Sequence, residues 1–126
     1  MTQEDKALLL KDLCARLPYG VKCKVSYNSG VINDVDATLY GMDKDGFLMF
    51  DEIGGDHREF LCKPYLFPLS SMKGRHKAEL FNLRINIEDP FQDTLCEIDF
   101  YHRNHFDYRG LIEKGLAIDA TNLNTY

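Results

Sequence analysis

The first twenty residues carry the pattern of an amphipathic helix. Thr2, followed three residues later by Asp5, provides an N-cap and an acidic first turn. Apolar side chains then recur at helical spacing, at Ala7, Leu10, Leu13, Cys14 and Leu17. The sequence therefore predicts one helix, which Pro18-Tyr19-Gly20 ends.

The next fifty residues change to the period-two alternation of half-buried strands. Apolar residues 21, 23, 25 and 27 alternate with Lys22, Lys24 and Ser26. Asn28-Ser29-Gly30 predicts a turn into an extended run from Val31 to Met42, and the Asp/Gly loop at 43–46 closes a hairpin with 47–50.

Further short strands follow a loop that contains Gly54-Gly55. Residues 58–62 favour a fourth strand. Pro64 and Pro68 bracket residues 65–67, which we expect to form only an edge strand or a tight turn because proline cannot donate to a ladder.

This order of elements predicts an α+β fold. We expect an N-terminal helix, a small antiparallel β-barrel of four or five strands (Sm-like type), and a C-terminal helical segment packed on it. The 126 residues suit a single domain, with the helix and barrel over 1–70 and the helical tail over 71–126.

The last third carries a more ambiguous pattern. Residues 81–87 alternate like a strand but also continue a helical stripe, and we favour a helix capped by Ser70 or Ser71, although Gly74 weakens it. A second helix is predicted to start at Asp89-Pro90. Its predicted inner face is Phe91, Leu95, Ile98, Tyr101, His102 and His105. The tail from Leu116 is expected to be loose or docked.

Composition and charge narrow the class of protein. The chain is 44% hydrophobic and 28% charged, as ordinary folded domains are, and its net charge of −5 argues against a generally basic nucleic-acid surface. The polar, acidic start lacks the features of a secretory signal, and no apolar run reaches membrane-spanning length, so we expect a cytoplasmic protein.

Four widely spaced cysteines form no C-x-x-C pair: Cys14, Cys23, Cys62 and Cys96. We expect reduced thiols that act as small apolar core groups and bind no metal.

The most metal-like set of side chains is Cys96, Asp99, His102, His105 and Asp107. His-x-x-His places two imidazoles on one helix face, but no second pair closes a tetrahedral site. We therefore assign no metal and no cofactor, and keep His102 and His105 as weak candidates.

Other motifs favour structural roles over chemistry. Asp43-x-Asp45-Gly46 echoes the start of a calcium loop, lacks its later ligands, and is better explained as a turn. Cys62 with His57 is the only pair close in sequence that could support nucleophilic catalysis. No catalytic residues are assigned, and an enzyme is less favoured than a binding protein.

Two aromatic-rich segments suggest a partner-binding site. Residues 65–67 and 106–109 supply Tyr65, Phe67, Tyr108 and Arg109, residue types that anchor interfaces. The alternative is structural: Phe106, Leu111 and Ile112 would fill the core while Asp107 and Arg109 pair locally.

Three blocks resemble a family of small proteins of uncharacterised function from gut anaerobic bacteria and their phages and prophages. They are Leu8 to Val21 (LLLKDLCARLPYGV), Lys63 to Met72 (KPYLFPLSSM) and Phe106 to Ala117 (FDYRGLIEKGLA). Members of that family often have an acidic, clearly helical run after the Ser-Ser-Met that ends the second block. This chain has the basic Lys73 to Lys77 there instead. The resemblance implies a phage or mobile-element context.

Three hypotheses of function follow. The leading one is a non-enzymatic binding module for a macromolecule, most simply a protein. The alternative is a nucleic-acid-binding small barrel that uses basic residues on its strands: Lys22, Lys24, Arg58 and Lys63. The third is a metal-dependent enzyme that uses His102 and His105.

Overall fold

The computed structural model describes residues 1–26, 34–51, 53, 57–85 and 87–126. In chain order its elements are α1 (Gln3–Ala15), β1 (Lys22–Val25), β2 (Val35–Met42), β3 (Leu48–Phe50), β4 (Cys62–Pro68), α2 (Gly74–Arg84), α3 (Pro90–Arg103), β5 (Phe106–Asp107) and β6 (Ile118–Asp119). The α+β class is confirmed. The predicted turn at 28–30 and the Gly54-Gly55 loop lie outside the described residues.

The N-terminal helix begins as predicted but ends at Ala15, before the predicted stop at Pro18-Tyr19-Gly20. Thr2 Oγ1 accepts the Asp5 N–H at 3.0 Å, and Asp5 accepts the Thr2 N–H at 3.2 Å, which forms a reciprocal capping box. After Ala15 the chain makes one 3-10 turn, and Gly20 takes a φ of 67°. This left-handed conformation, which glycine adopts without a steric penalty, turns the chain into β1.

One mixed sheet forms the centre of the molecule, in the order β3-β2-β1-β4-β5. β1 pairs antiparallel with β2 and β4, and β2 pairs antiparallel with β3. β5 and β6 both pair with β4 in parallel. The central position of β4 corrects the prediction of an edge strand. Its prolines are accommodated because Pro64 ends the ladder to β1 and Pro68 ends the ladder to β5.

The predicted Sm-like barrel is wrong, because the sheet of the described residues is open. Closure would require β3 to pair with the far side of β4. In the described residues β4 pairs with β1 and with the short parallel strands β5 and β6, and not with β3. The residues after 71 are therefore not a purely helical tail, since they return to complete the sheet.

A continuous apolar core lies between α1 and the sheet. Its fully buried members include Leu9, Leu13, Val21, Val25, Leu39, Leu66 and Leu111. Leu116 and Ala117 also belong to it, and Ala120 N donates to the Leu66 carbonyl at 2.8 Å. The C-terminal tail is thus docked, which was one of the two predicted alternatives. We name α1, the sheet and this tail the body.

The helices α2 and α3 form a hairpin beside the body. Residues 81–84 are helical, as we favoured for 81–87, but α2 ends at Arg84. Its N-cap is Lys73, and Ser70 and Ser71 lie in a 3-10 turn before it. Asp89 caps α3 by accepting the Phe91 N–H at 3.0 Å, which confirms the predicted start. Within the described residues, no helix is long and apolar enough to span a bilayer.

Candidate binding surfaces

Five large apolar side chains of the α2–α3 hairpin are exposed. Phe81, Ile85 and Phe91 are 64%, 61% and 67% exposed. Leu83 and Leu95 of the same hairpin are 39% and 45% exposed. We name these five exposed residues of the hairpin the hairpin face. It includes the first part of the predicted inner face of α3, so that prediction is wrong for Phe91 and Leu95.

The exposure follows from how the hairpin meets the body. No described residue of α2 is buried, and in α3 only Phe100 and His102 are, both near the C-terminal end. There the Phe100 ring stacks on Phe106 of β5 with centroids 6.2 Å apart. The start of α3 and the end of α2 have no such layer beneath them, so their apolar side chains remain in solvent.

The two helices of the hairpin carry opposite charge. Histidines aside, α2 has three Lys or Arg residues and one acidic residue, whereas α3 has three acidic residues and one arginine. Arg84 of α2 forms two hydrogen bonds to Asp93 of α3, at 2.6 and 2.9 Å. This bidentate pair lowers the pKa of Asp93 and holds the helices side by side.

Two of the four predicted partner-binding residues lie in β4. Tyr65 is only 5% exposed, and its hydroxyl donates to Asp36 at 2.6 Å. Burial, followed by this hydrogen bond, raises the pKa of Tyr65. Phe67 is half-buried against Phe106 and Tyr126. Tyr65 therefore does not contribute to an exposed anchor surface.

The other two predicted residues belong to a buried polar network. Arg109 Nε lies 3.1 Å from Asp12 Oδ1, and the fully buried Arg16 forms a 2.8 Å ion pair with the same carboxylate. The Tyr108 hydroxyl lies 2.6 Å from His102 Nε2. Arg109 thus pairs with Asp12 and not with Asp107 as the structural alternative supposed. A partner-binding role for these residues stays a prediction.

The segment around Asp107 otherwise has the structural role considered above. Phe106 and Leu111 are buried. Asp107 accepts the backbone N–H groups of Leu111 at 3.0 Å and Ile112 at 2.9 Å, which fixes the loop that carries Arg109.

The histidines do not converge on a metal site. Among the described residues, no group of three or more His, Cys, Asp or Glu side chains could hold an ion. His102 contacts Tyr108, whereas His105 stacks on Tyr126 with centroids 3.7 Å apart. Burial lowers the pKa of both imidazoles, that of His105 to about 4.

Cys23 and Cys62 are buried core residues, whereas Cys14 and Cys96 are only partly buried. All four cysteines are free, and burial raises the pKa of Cys62 to about 12, which opposes the thiolate that nucleophilic catalysis needs. Asp43 Oδ1 accepts the N–H groups of Asp45 and Phe47, as the turn interpretation predicted.

The basic residues proposed for nucleic-acid binding are only partly free. Lys22 Nζ donates to the Thr125 carbonyl at 2.6 Å. Arg58 lies 3.8 Å from the centre of the Phe47 ring. Lys24 and Lys63 face each other across β1 and β4. Half of the set is therefore engaged within the chain.

A pocket of about 410 Å³ lies where the hairpin meets the body. We name it the basal pocket. Its lining includes three cationic residues and three ring-bearing residues: Lys73, Arg75, Arg103, His105, Phe106 and Tyr126. In the sequence, the basic run at 73–77 stands out only as a departure from the family pattern. Sequence analysis missed Tyr126, because nothing in the sequence places this residue beside His105.

The chain was compared with protein-family models, curated proteins and solved structures, and none of them matches it. The family resemblance of the three sequence blocks therefore stays a prediction.

Proposed function

We propose that this chain is a non-enzymatic protein-binding module whose contact surface is the hairpin face. The observation that carries the proposal is the exposure of five large apolar side chains on two helices. Helices in water are stabilised mainly by burial of an apolar stripe, and this stripe has no cover within the described residues.

The area of the hairpin face supports an interface. Five large apolar side chains that are about half exposed present on the order of 500 Å² of apolar surface, the upper end of what monomers expose. Two such faces in contact would remove about 1,000 Å² from water, which is the threshold for a specific interface.

The occupant that we propose is the hairpin face of a second copy. A two-fold axis brings the same surface of both copies together. An arrangement that sets α2 against the partner's α3 would place a helix rich in Lys and Arg beside one rich in acids, in both halves of the interface. The charge distribution of the hairpin is thus complementary to itself.

The other two hypotheses gain less support. Nucleic-acid binding would rely on Lys22 and Arg58, which already contact Thr125 and Phe47. Metal-dependent catalysis would rely on His102 and His105, which contact different aromatic partners. The phage or mobile-element setting remains an expectation from the family resemblance.

Sedimentation velocity over a concentration series tests the proposal. We expect the wild-type chain to dimerise and the Phe81→Ser/Phe91→Ser variant to be monomeric with an unchanged circular dichroism spectrum. Tyr40→Ser, which changes an exposed aromatic on β2, is the matched control and should dimerise normally.

Two results would contradict this interface. One is a wild-type chain that stays monomeric at every concentration, and the other is a double variant that dimerises as well as wild type. A photo-crosslinking residue at position 81 then identifies the occupant, since a crosslink to another protein would assign the hairpin face to a different partner.

A further inference from the structure

The basal pocket has the size and construction of a small-ligand site. Its volume of about 410 Å³ falls in the range of ligand pockets. Residues from β4, the start of α2, the end of α3 and the C-terminal segment form its wall. It lies at the junction of the hairpin and the body, and its lining includes none of the five residues of the hairpin face.

Positive charge dominates the rim of the basal pocket. Lys73, Arg75 and Arg103 line it, and no described Asp or Glu does, although the chain has a net charge of −5. Neither Lys73 nor Arg75 forms an ion pair with another described residue, whereas Arg103 lies 3.6 Å from both Glu79 and Asp99. Lys73 and Arg75 thus carry charge that no described carboxylate pairs with, which favours an anionic ligand.

An ordered aromatic wall forms another side of the basal pocket. The His105 and Tyr126 rings stack 12° from parallel. The Tyr126 hydroxyl accepts the Lys22 N–H and donates to the Tyr65 carbonyl, both at 2.9 Å, so the ring is held in place. Because the two inner faces cover each other, a ligand ring can stack on an outer face of this pair.

The backbone at His105 is strained in a way that builds this wall. His105 has a φ of 62°, a left-handed conformation that is uncommon outside glycine. Its carbonyl accepts the Phe67 N–H at 2.8 Å, and this bond fixes the turn from α3 into β5. Its Nδ1 is buried and has no hydrogen-bond partner among the described residues, which leaves one polar atom of the lining unsatisfied.

We propose that the basal pocket binds a small phosphate monoester that carries a flat ring. Lys73, Arg75 and Arg103 hold the phosphate group, and the ring lies against the His105–Tyr126 wall. A phosphate suits three cations better than a carboxylate does, because it offers three acceptor oxygens and a charge near −2 at neutral pH. This inference is independent of the hairpin face, since it concerns a different surface.

Calorimetric titration with adenosine 5′-monophosphate, inorganic phosphate and adenosine tests the proposal. We expect the monophosphate to bind more tightly than either fragment. Lys73→Ala/Arg75→Ala should weaken binding of both the monophosphate and inorganic phosphate by about tenfold or more, as the loss of charge-assisted hydrogen bonds implies. Lys77→Ala, on the same helix but outside the pocket lining, is the matched control and should bind normally.

A second pair of variants tests the aromatic wall. Tyr126→Ala should weaken binding of the monophosphate by about tenfold, the effect expected for the loss of one stacked ring, and should leave the affinity for inorganic phosphate unchanged. Tyr126→Phe keeps the ring without the hydroxyl and should retain monophosphate binding, which separates stacking from a general loss of structure.

Three outcomes would overturn the proposal. The first is no saturable binding of the monophosphate. The second is monophosphate binding that the Lys73→Ala/Arg75→Ala variant retains in full. The third is equal affinity for the monophosphate and inorganic phosphate, which would leave no role for a ring.

Discussion

The body and the hairpin differ in how far they bury their large apolar side chains. Leu66 of β4 is fully buried, whereas Leu95 of α3 is 45% exposed. The buried apolar residues of the body are explained by the folding of this chain, because α1 and the sheet cover one another, although Tyr40, Met42 and Met49 remain exposed on β2 and β3. Those of the hairpin face are not, since no described part of the chain covers them, and this exposure is the basis on which we propose association.

Ion pairs repeat this contrast. The Asp12–Arg16 pair lies within the body with both side chains at 0% exposure. The Arg84–Asp93 pair of the hairpin is similarly short, but its side chains are 39% and 30% exposed. Water screens an exposed pair and can solvate either partner when the other is removed, whereas a buried charge left alone has no such compensation.

The largest expected effect is therefore on the body. Asp12→Ala should lower the free energy of unfolding by about 3–5 kcal/mol, because Arg16 would remain buried without its counter-charge. Asp12→Asn keeps the shape of the side chain and should cost less. Urea unfolding measures both, and a loss below about 1 kcal/mol for Asp12→Ala would remove the distinction between the two ion pairs.

The next prediction compares the stability effects of two leucine truncations, one in the body and one in the hairpin. Leu66→Ala should destabilise the chain by about 2–5 kcal/mol through lost burial and a cavity. Leu95→Ala should change stability by no more than about 0.5 kcal/mol, since its side chain is already largely in water. Urea unfolding at dilutions where the chain is monomeric measures folding without association. Equal losses would show that the hairpin face is part of the folded core.

The contrast also explains what the sequence could predict. Alternation in β1, the Thr2 N-cap and Asp89-Pro90 are local signals, and the structure confirms each of them. The helical period of α3 identifies which residues share an apolar face but not what covers that face. Phe91 and Leu95 were therefore assigned to the interior.

Long-range features could not be predicted for a different reason. β5 and β6 have two residues each, too few to show a period, and they join β4 in parallel after a long excursion. The closed barrel was predicted without them. The basal pocket likewise depends on the contact of His105 with Tyr126, which residue spacing does not report.

The stability of the chain should decrease in acid because of His105, which lies at the boundary between the hairpin and the body. Burial, and to a lesser extent Arg16 and Lys22, lowers the pKa of His105 to about 4, below the value near 6.5 of an unfolded histidine. The unfolded chain then binds more protons, so stability should fall as the pH drops from about 6.5 to 4.

His76 and His102, whose pKa values burial also lowers, should add to this slope. His105→Asn should reduce the slope without abolishing it, since asparagine tolerates the left-handed backbone. Urea midpoints measured across this pH window test the prediction, and an identical slope in the variant would contradict it.

The smallest expected effect concerns the hairpin. Arg84→Ala removes the bidentate pair with Asp93, whose pKa should rise toward its ordinary value in response. Both partners can be solvated, so the urea midpoint should barely move. Arg84→Lys, which keeps the charge but not the bidentate geometry, is the matched control. A loss comparable to that of Asp12→Ala would show that the exposed pair is essential to the fold, and that the hairpin and the body unfold as one tightly coupled unit.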